Sequence, residues 1–162
     1  MNDDLKEKAW LYYTGEEVKR DLNEAFKLFS DPSLNDDSEA LYMVAEMYFY
    51  GDGTKKDYNE AFKYYEKASF YDDSFAIFGL ANCYFYGFGT KKDLPKAFEL
   101  YLKASSLDLV DAYYSLGECY EFGYGTEIDL NKAYDCYNYA NNNGYSDVTD
   151  DLKRIKNKLR KR

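Results

Sequence analysis

Three near-copies of one heptapeptide recur at an interval of 36 residues: GDGTKKD at 51–57, GFGTKKD at 87–93 and GYGTEID at 123–129. Self-similarity at a fixed period of this length means a supersecondary unit that cannot bury its apolar side alone and must stack on copies of itself. Stepping by 36 recovers further columns. Ala40, Ala76 and Ala112 align, as do Ala45, Ala81 and Gly117, and Tyr12, Tyr48, Tyr84 and Tyr120. Asp21, Asp57, Asp93 and Asp129 form another column; Ala25, Ala61, Ala97 and Ala133 form the next, followed four residues later by Phe29, Tyr65, Tyr101 and Tyr137. A step back from Gly51 reaches Gly15, whose stretch GEEVKRD has Glu17 in place of the second glycine. The array therefore holds four units, at about 4–35, 36–71, 72–107 and 108–143, with the first degenerate. An atypical end unit is expected where one face must meet water instead of a neighbour.

Within one unit the apolar spacing is helical. Positions 40, 41, 44, 45 and 48 recur on one side of a helix, here termed A, and Gly51 follows where a left-handed C-cap favours a residue without a β-carbon. Gly53 permits a second unusual backbone angle. Asp57 then N-caps helix B, with Glu60 placed to complete a capping box, as Glu24 is for Asp21. Ala61, Tyr65 and Ala68 alternate small and large along helix B, so the helices can approach closely. Gly51, Gly53, Gly87, Gly89, Gly123 and Gly125 are structural turn residues in this reading. Two antiparallel helices per unit predict an all-α, right-handed α-solenoid over residues 1–145, with 146–162 as a basic C-terminal capping helix.

The order Ala, Leu/Val, Ala/Gly, Tyr, GxGT, Asp, Lys/Glu-Ala, Tyr, Lys-Ala at a period of 36 resembles the Sel-one-like repeat (SLR) family of the tetratricopeptide-like superfamily. The match runs over about residues 4–145 and departs from the pattern in the first unit, at Glu17 and at Pro32, where Ala68 and Ala104 stand later. The resemblance implies a non-enzymatic interaction scaffold or adaptor that holds a protein or peptide. Some secreted relatives carry a cysteine pair in each repeat, a pattern this chain lacks.

Carried over through the Ala45 and Tyr48 columns, the resemblance also implies a concave groove. It is lined by Glu39, Tyr42, Glu46, Phe49 and Tyr50 in the second unit, by Phe75, Phe78, Asn82, Phe85 and Tyr86 in the third, and by Asp111, Tyr114, Glu118, Glu121 and Phe122 in the fourth. The first unit offers Lys6, Trp10 and Tyr13. Rings give contact area at little entropic cost and carboxylates pair with Lys or Arg, so the expected ligand is a basic or amphipathic peptide.

Charge sharpens this expectation. The chain carries a formal −9, yet residues 153–162, KRIKNKLRKR, hold seven basic and no acidic side chains, leaving −16 on the rest. Leu152, Ile155 and Leu159 give the tail a narrow apolar stripe. It reads as a cap on the last unit, with self-association or an anionic contact as alternatives. Nucleic acid is disfavoured, because the acidic body would repel phosphate.

Chemistry is harder to place. The chain has no histidine, which removes the usual metal ligand and general base. Cys83, Cys119 and Cys136 each occupy a hydrophobic column and read as small core side chains, although Cys119 and Cys136 lie on the two helices of one unit. GxGTKK does not fit a phosphate-binding loop, and the pairs Asp36/Asp37 and Asp72/Asp73 fall at interhelix turns. No catalytic residue, metal or cofactor is expected; hydrolase chemistry would need two carboxyls of raised pKa in one pocket. The charged N-terminus and the lack of an apolar run of about 20 residues point to a cytoplasmic protein without a membrane span.

Overall fold

The structure, a computed structural model, describes residues 2–161. Its helices are α1 (Asn2–Thr14), α2 (Leu22–Phe29), α3 (Ser38–Tyr50), α4 (Tyr58–Ser69), α5 (Ser74–Tyr86), α6 (Leu94–Ser106), α7 (Val110–Phe122), α8 (Leu130–Asn142) and α9 (Thr149–Arg160), with a 3-10 turn at Pro32–Leu34. The A helices α3, α5 and α7 begin at 38, 74 and 110, and the B helices α2, α4, α6 and α8 at 22, 58, 94 and 130. The 36-residue period of the sequence is thus the period of the helices. The chain divides into two compact units. The first runs to Ala76 and includes Phe88–Lys91; the second comprises Ile77–Gly87 and everything from Lys92 onward.

In the first unit α1 packs on α2, and α3 on both α2 and α4. The small columns sit at the contacts: Ala9, Ala25, Ala40, Ala45, Ala61 and Ala68 are fully buried, and Phe29, Leu34, Met43, Val44 and Met47 fill the space they leave. Close approach of two helices needs small side chains at the crossing and large ones beside it. Pro32 ends the regular pattern early. Asp31 caps the 3-10 turn through the Ser33 amide (2.9 Å) and hydroxyl (2.7 Å), so α2 has only 8 residues.

The A-to-B turn explains both glycines of each GxG. Gly51 takes φ 83° and its N–H donates to the Met47 carbonyl at 2.9 Å, closing α3. Gly53, at φ 67°, has a second constraint: a β-carbon there would lie 1.9 Å from the Leu22 carbonyl oxygen, at the start of the preceding B helix. Gly89 meets Tyr58 O in the same way within the first unit, and Gly125 meets Leu94 O in the second. The second glycine is therefore a seam between repeats as well as a turn residue. Glu17, which stands in this column, keeps a positive φ of 62°, but among the described residues no B helix precedes it.

The B-helix caps form through Asp21, Asp57, Asp93 and Asp129, each accepting from helix N-terminal amides. The reciprocal half of the capping box does not form. The Asp57 N–H donates to the Tyr48 carbonyl (2.9 Å) and the Asp21 N–H to Tyr12 O (2.9 Å), so Glu60 and Glu24 have no orphan donor to satisfy. They pair instead with Lys63 and Lys27. Asp37 and Asp73 cap α3 and α5, each accepting from an amide at 2.9 Å.

In the second unit α7 packs on α6 and α8, and α8 on α9. Tyr101, Leu116 and Cys119 form one cluster with Ala81 and Ala97; Leu130, Ala133 and Tyr137 form another with Val148 and Ile155. Ile155 is fully buried, and Leu152 and Leu159 pack beside it, so the stripe of the basic tail faces α8. Cys83 and Cys119 are buried and Cys136 is half-buried. Burial pushes the Cys119 thiol up to about 12 and the Cys136 thiol up to about 11.

Candidate functional site

The A-helix side chains singled out by their columns share one face within each unit, at three depths. The outermost column is Tyr50 (60% exposed), Tyr86 (61%) and Phe122 (43%).

The next columns are half-buried and lean on the B-helix tyrosine. In the first unit the ring of Tyr42 lies 6.2 Å from that of Tyr65, and Phe49 lies 6.5 Å from it. In the second, Phe78 and Phe85 lie 5.6 and 6.3 Å from Tyr101, and Tyr114 lies 5.5 Å from Tyr137. Tyr114 also stacks on Tyr145 at 4.5 Å. These rings contribute an edge to the surface while the rest anchors the helix pair.

The polar column is tied down from beneath. The Tyr65 hydroxyl donates to Glu46 Oε1, and the Tyr101 hydroxyl donates to Asn82 Oδ1 at 2.7 Å. A buried hydroxyl needs such a partner, which is why a polar residue recurs 19 positions before each tyrosine. Burial raises the Glu46 carboxyl above its ordinary value. In the last repeat the Tyr137 hydroxyl reaches Glu121 Oε2 (2.9 Å) instead, and Glu118, half-buried near Asp151 and Glu121, is also raised, first by burial. Glu46 and Glu118 belong one to each unit.

Glu121 departs from its expected place on the open face. It is 3% exposed. Arg154 donates to it twice, Nε to Oε1 at 2.7 Å and Nη2 to Oε2 at 2.6 Å, and Lys158 Nζ donates to Oε1 at 2.8 Å. Burial alone would raise this carboxyl; the hydrogen bonds from Arg154, Lys158 and Tyr137 outweigh it and hold the group at about 2. Both cations also lie over the Phe122 ring, Arg154 at 5.8 Å and Lys158 at 5.3 Å. The tail thus spends two of its charges inside the fold. Lys153 pairs with Asp150 and Lys156 lies over Tyr134.

On the first unit, Trp10, Glu39, Tyr42, Met43, Asp73 and Phe75 line a cleft of about 430 Å³. Trp10 is fixed by edge-on contacts with Tyr13 and Phe29, both at 5.5 Å, and its indole N–H donates to Glu39 Oε1 at 3.0 Å. Lys6 bridges Asp37 and Glu39 at 2.9 Å each. Column reasoning had placed Trp10, Glu39, Tyr42 and Phe75 on this face. It had read Asp73 as a turn cap only, and nothing in the repeat pattern distinguishes a cap that also lines a cleft. Among the described residues no group of three or more Cys, Asp or Glu side chains could hold a metal ion, and no helix is long and apolar enough to cross a membrane.

Comparison with known proteins gives a consistent picture. A family model for the Sel1 repeat matches residues 9–30, 38–69, 74–109 and 110–145. Among solved structures, a Sel1 repeat protein from Oxalobacter formigenes superimposes with a TM-score of 0.87 and 28% identity, over 95% of this chain and 63% of that one. A protective antigen present in uropathogenic Escherichia coli strains, displaying an SLR fold, matches with a TM-score of 0.87 and 22% identity over 96% of this chain and 33% of that one. Cysteine-rich protein B of Helicobacter pylori matches with a TM-score of 0.63 and 25% identity, over 85% of this chain and 99% of its own. The chain thus spans about two thirds and one third of the first two. No curated protein matches it. The fold is an all-α solenoid of helical repeats.

Proposed function

The chain belongs to the Sel1 repeat family, and from that premise we propose that it is an adaptor holding a basic segment of a partner protein against the aromatic, carboxylate-bearing faces of its A helices. Sel1 repeat proteins are typically non-enzymatic scaffolds for protein interaction. The finer reading rests on one observation: α9 already displays the chemistry, with Arg154 and Lys158 seated on the ring of Phe122 and the carboxylate of Glu121. A cation over a ring gains from its quadrupole, and a carboxylate beside it adds a charge-assisted hydrogen bond. Tyr50 and Tyr86 stand in the Phe122 column, one in each unit, at 60% and 61% exposure.

The probe is a labelled peptide with the sequence of residues 149–160, TDDLKRIKNKLR, tested against the full chain by fluorescence anisotropy. A control peptide replaces its Lys and Arg by Glu. The double variant Tyr50→Ser, Tyr86→Ser removes two open rings without touching the core. The native peptide should bind at least about tenfold more tightly than the control, and the double variant should bind it at least about fivefold more weakly. Equal affinity for both peptides, or no effect of the double variant, sinks the reading. The tail as a contact for nucleic acid has less support, since Arg154, Lys158 and Lys153 are engaged within the fold.

A further inference from the structure

The cleft on the first unit has a volume of about 430 Å³ and three aromatic walls. Trp10 and Tyr42 are held in place, and Phe75, 55% exposed, lies 5.9 Å from the ring of Tyr42. Met43, 4% exposed, adds a polarizable side chain to the lining. Two carboxylates, Glu39 and Asp73, complete it.

The charge those carboxylates present decides which ligand fits. Glu39 is engaged at both oxygens, Oε1 by the Trp10 indole and Oε2 by Lys6. Asp73 Oδ1 accepts from the Ala76 amide. Lys6 offsets the charge of Glu39, so the negative charge that faces the rings is chiefly that of Asp73. Burial first, then Glu46 and Asp73, push the Tyr42 hydroxyl well above its ordinary value. A lysine ammonium is a compact, strongly hydrated charge that must shed water to lie against three rings, at a cost. A methylated ammonium has its charge and almost no donors. Aromatic walls with a carboxylate at the rim are what recognises it.

We propose that this cleft binds a quaternary or otherwise fully methylated ammonium group. The inference rests on the reading of this face as a surface for cations, and names the cation for one site upon it.

Trp10 is the sole tryptophan of the chain, so its fluorescence reports on the cleft directly. The full chain is titrated with tetramethylammonium chloride, with choline chloride, with the neutral isostere 3,3-dimethyl-1-butanol, and with sodium chloride at matched ionic strength. A short peptide carrying trimethyl-lysine is compared with the same peptide carrying lysine. The expected result is a saturating change with both small cations and at least about tenfold weaker binding of the neutral isostere. Phe75→Ser, at an exposed position, should weaken tetramethylammonium binding at least about fivefold with an unchanged far-UV spectrum. If the trimethyl-lysine peptide binds more tightly than choline, the group belongs to a polypeptide; if choline binds more tightly, it belongs to a small molecule. Equal response to the isostere, or no saturation beyond the sodium chloride control, overturns the proposal. The adaptor reading stands or falls separately, because its probe carries no methylated amine and its variants, at Tyr50 and Tyr86, lie outside the cleft lining.

Discussion

Replacing Glu121 by Gln keeps the length of the side chain and one acceptor but removes the charge that Arg154 and Lys158 share. The carboxyl sits at about 2 in the fold against an ordinary value of 4.5, so the folded state favours its ionised form by about 3 kcal/mol. Glu121 itself is buried, but the side chains of Arg154 and Lys158 remain 40% and 41% exposed. Solvent screening on that side lowers the expectation to about 2–3 kcal/mol. The pH dependence follows from the direction of the shift. A depressed carboxyl contributes its full stability above about pH 4.5 and loses it as the pH falls toward 2. Urea unfolding of the native chain and Glu121→Gln at pH 7 and pH 3, followed by far-UV circular dichroism, should show the full gap at pH 7 and about half of it at pH 3. Acidic groups remote from Glu121 titrate alike in both proteins and cancel; Glu118, which the charge of Glu121 helps to raise, shifts down in the variant. Amide exchange should accelerate in α9 and leave α3 and α4 unchanged. A gap that is equal at both pH values would mean that the loss comes from packing, and a gap below about 0.5 kcal/mol at pH 7 would place the cluster with ordinary surface ion pairs; either result refutes the argument.

Other substitutions separate the roles of neighbouring residues. Gly51→Ala should cost about 1 kcal/mol for its positive φ, whereas Gly53→Ala, whose β-carbon would meet Leu22 O at 1.9 Å, should cost at least about 2 kcal/mol more in chemical denaturation. Tyr101→Phe deprives Asn82 of its donor and should destabilise by about 1–2 kcal/mol, while Tyr50→Phe, on a ring 60% exposed, should change little in the same assay. With Cys119 raised to about 12 and Cys136 to about 11, alkylation at pH 8 should be slow for both and become rapid only in denaturant; a thiol reacting at the rate of free cysteine in the native protein would contradict this.

Where a residue's role is set inside its own repeat, the sequence discloses it. The first glycine of each turn and the capping aspartates act within one helix pair, and each repeats because its cause repeats. The capping box was misread at Glu60 because the pattern cannot show that the Asp57 N–H already has the Tyr48 carbonyl as its partner. The seam role of Gly53 was missed for a similar reason: the atom it avoids, Leu22 O, lies 31 residues away in the preceding repeat. The tie from Tyr65 to Glu46 was open to inference, since a buried tyrosine needs an acceptor and the polar column at 46 and 82 supplies one.

Glu121 shows what happens where the repetition stops. Its column holds Phe49 and Phe85 in the earlier repeats, rings that rest on the B-helix tyrosine of their own pair. At the last pair a carboxylate stands there, and taken alone it reads as one more acidic residue on an open face. Only the register of the tail reverses that reading: Arg154 and Lys158 are four apart, so one side of α9 brings both to the same carboxylate while Ile155 turns to the core. Glu121 and the basic side of α9 are therefore physically coupled, since a carboxylate buried in this column is held only by the cations and the tyrosine hydroxyl that meet it. The cation site on α9 is built from more than a ring, since Arg154 meets Asp151 as well as Glu121 and Phe122, whereas Tyr50 and Tyr86 have Phe49 and Phe85 beside them where Glu121 stands, so a basic segment bound there would draw its carboxylate from another column.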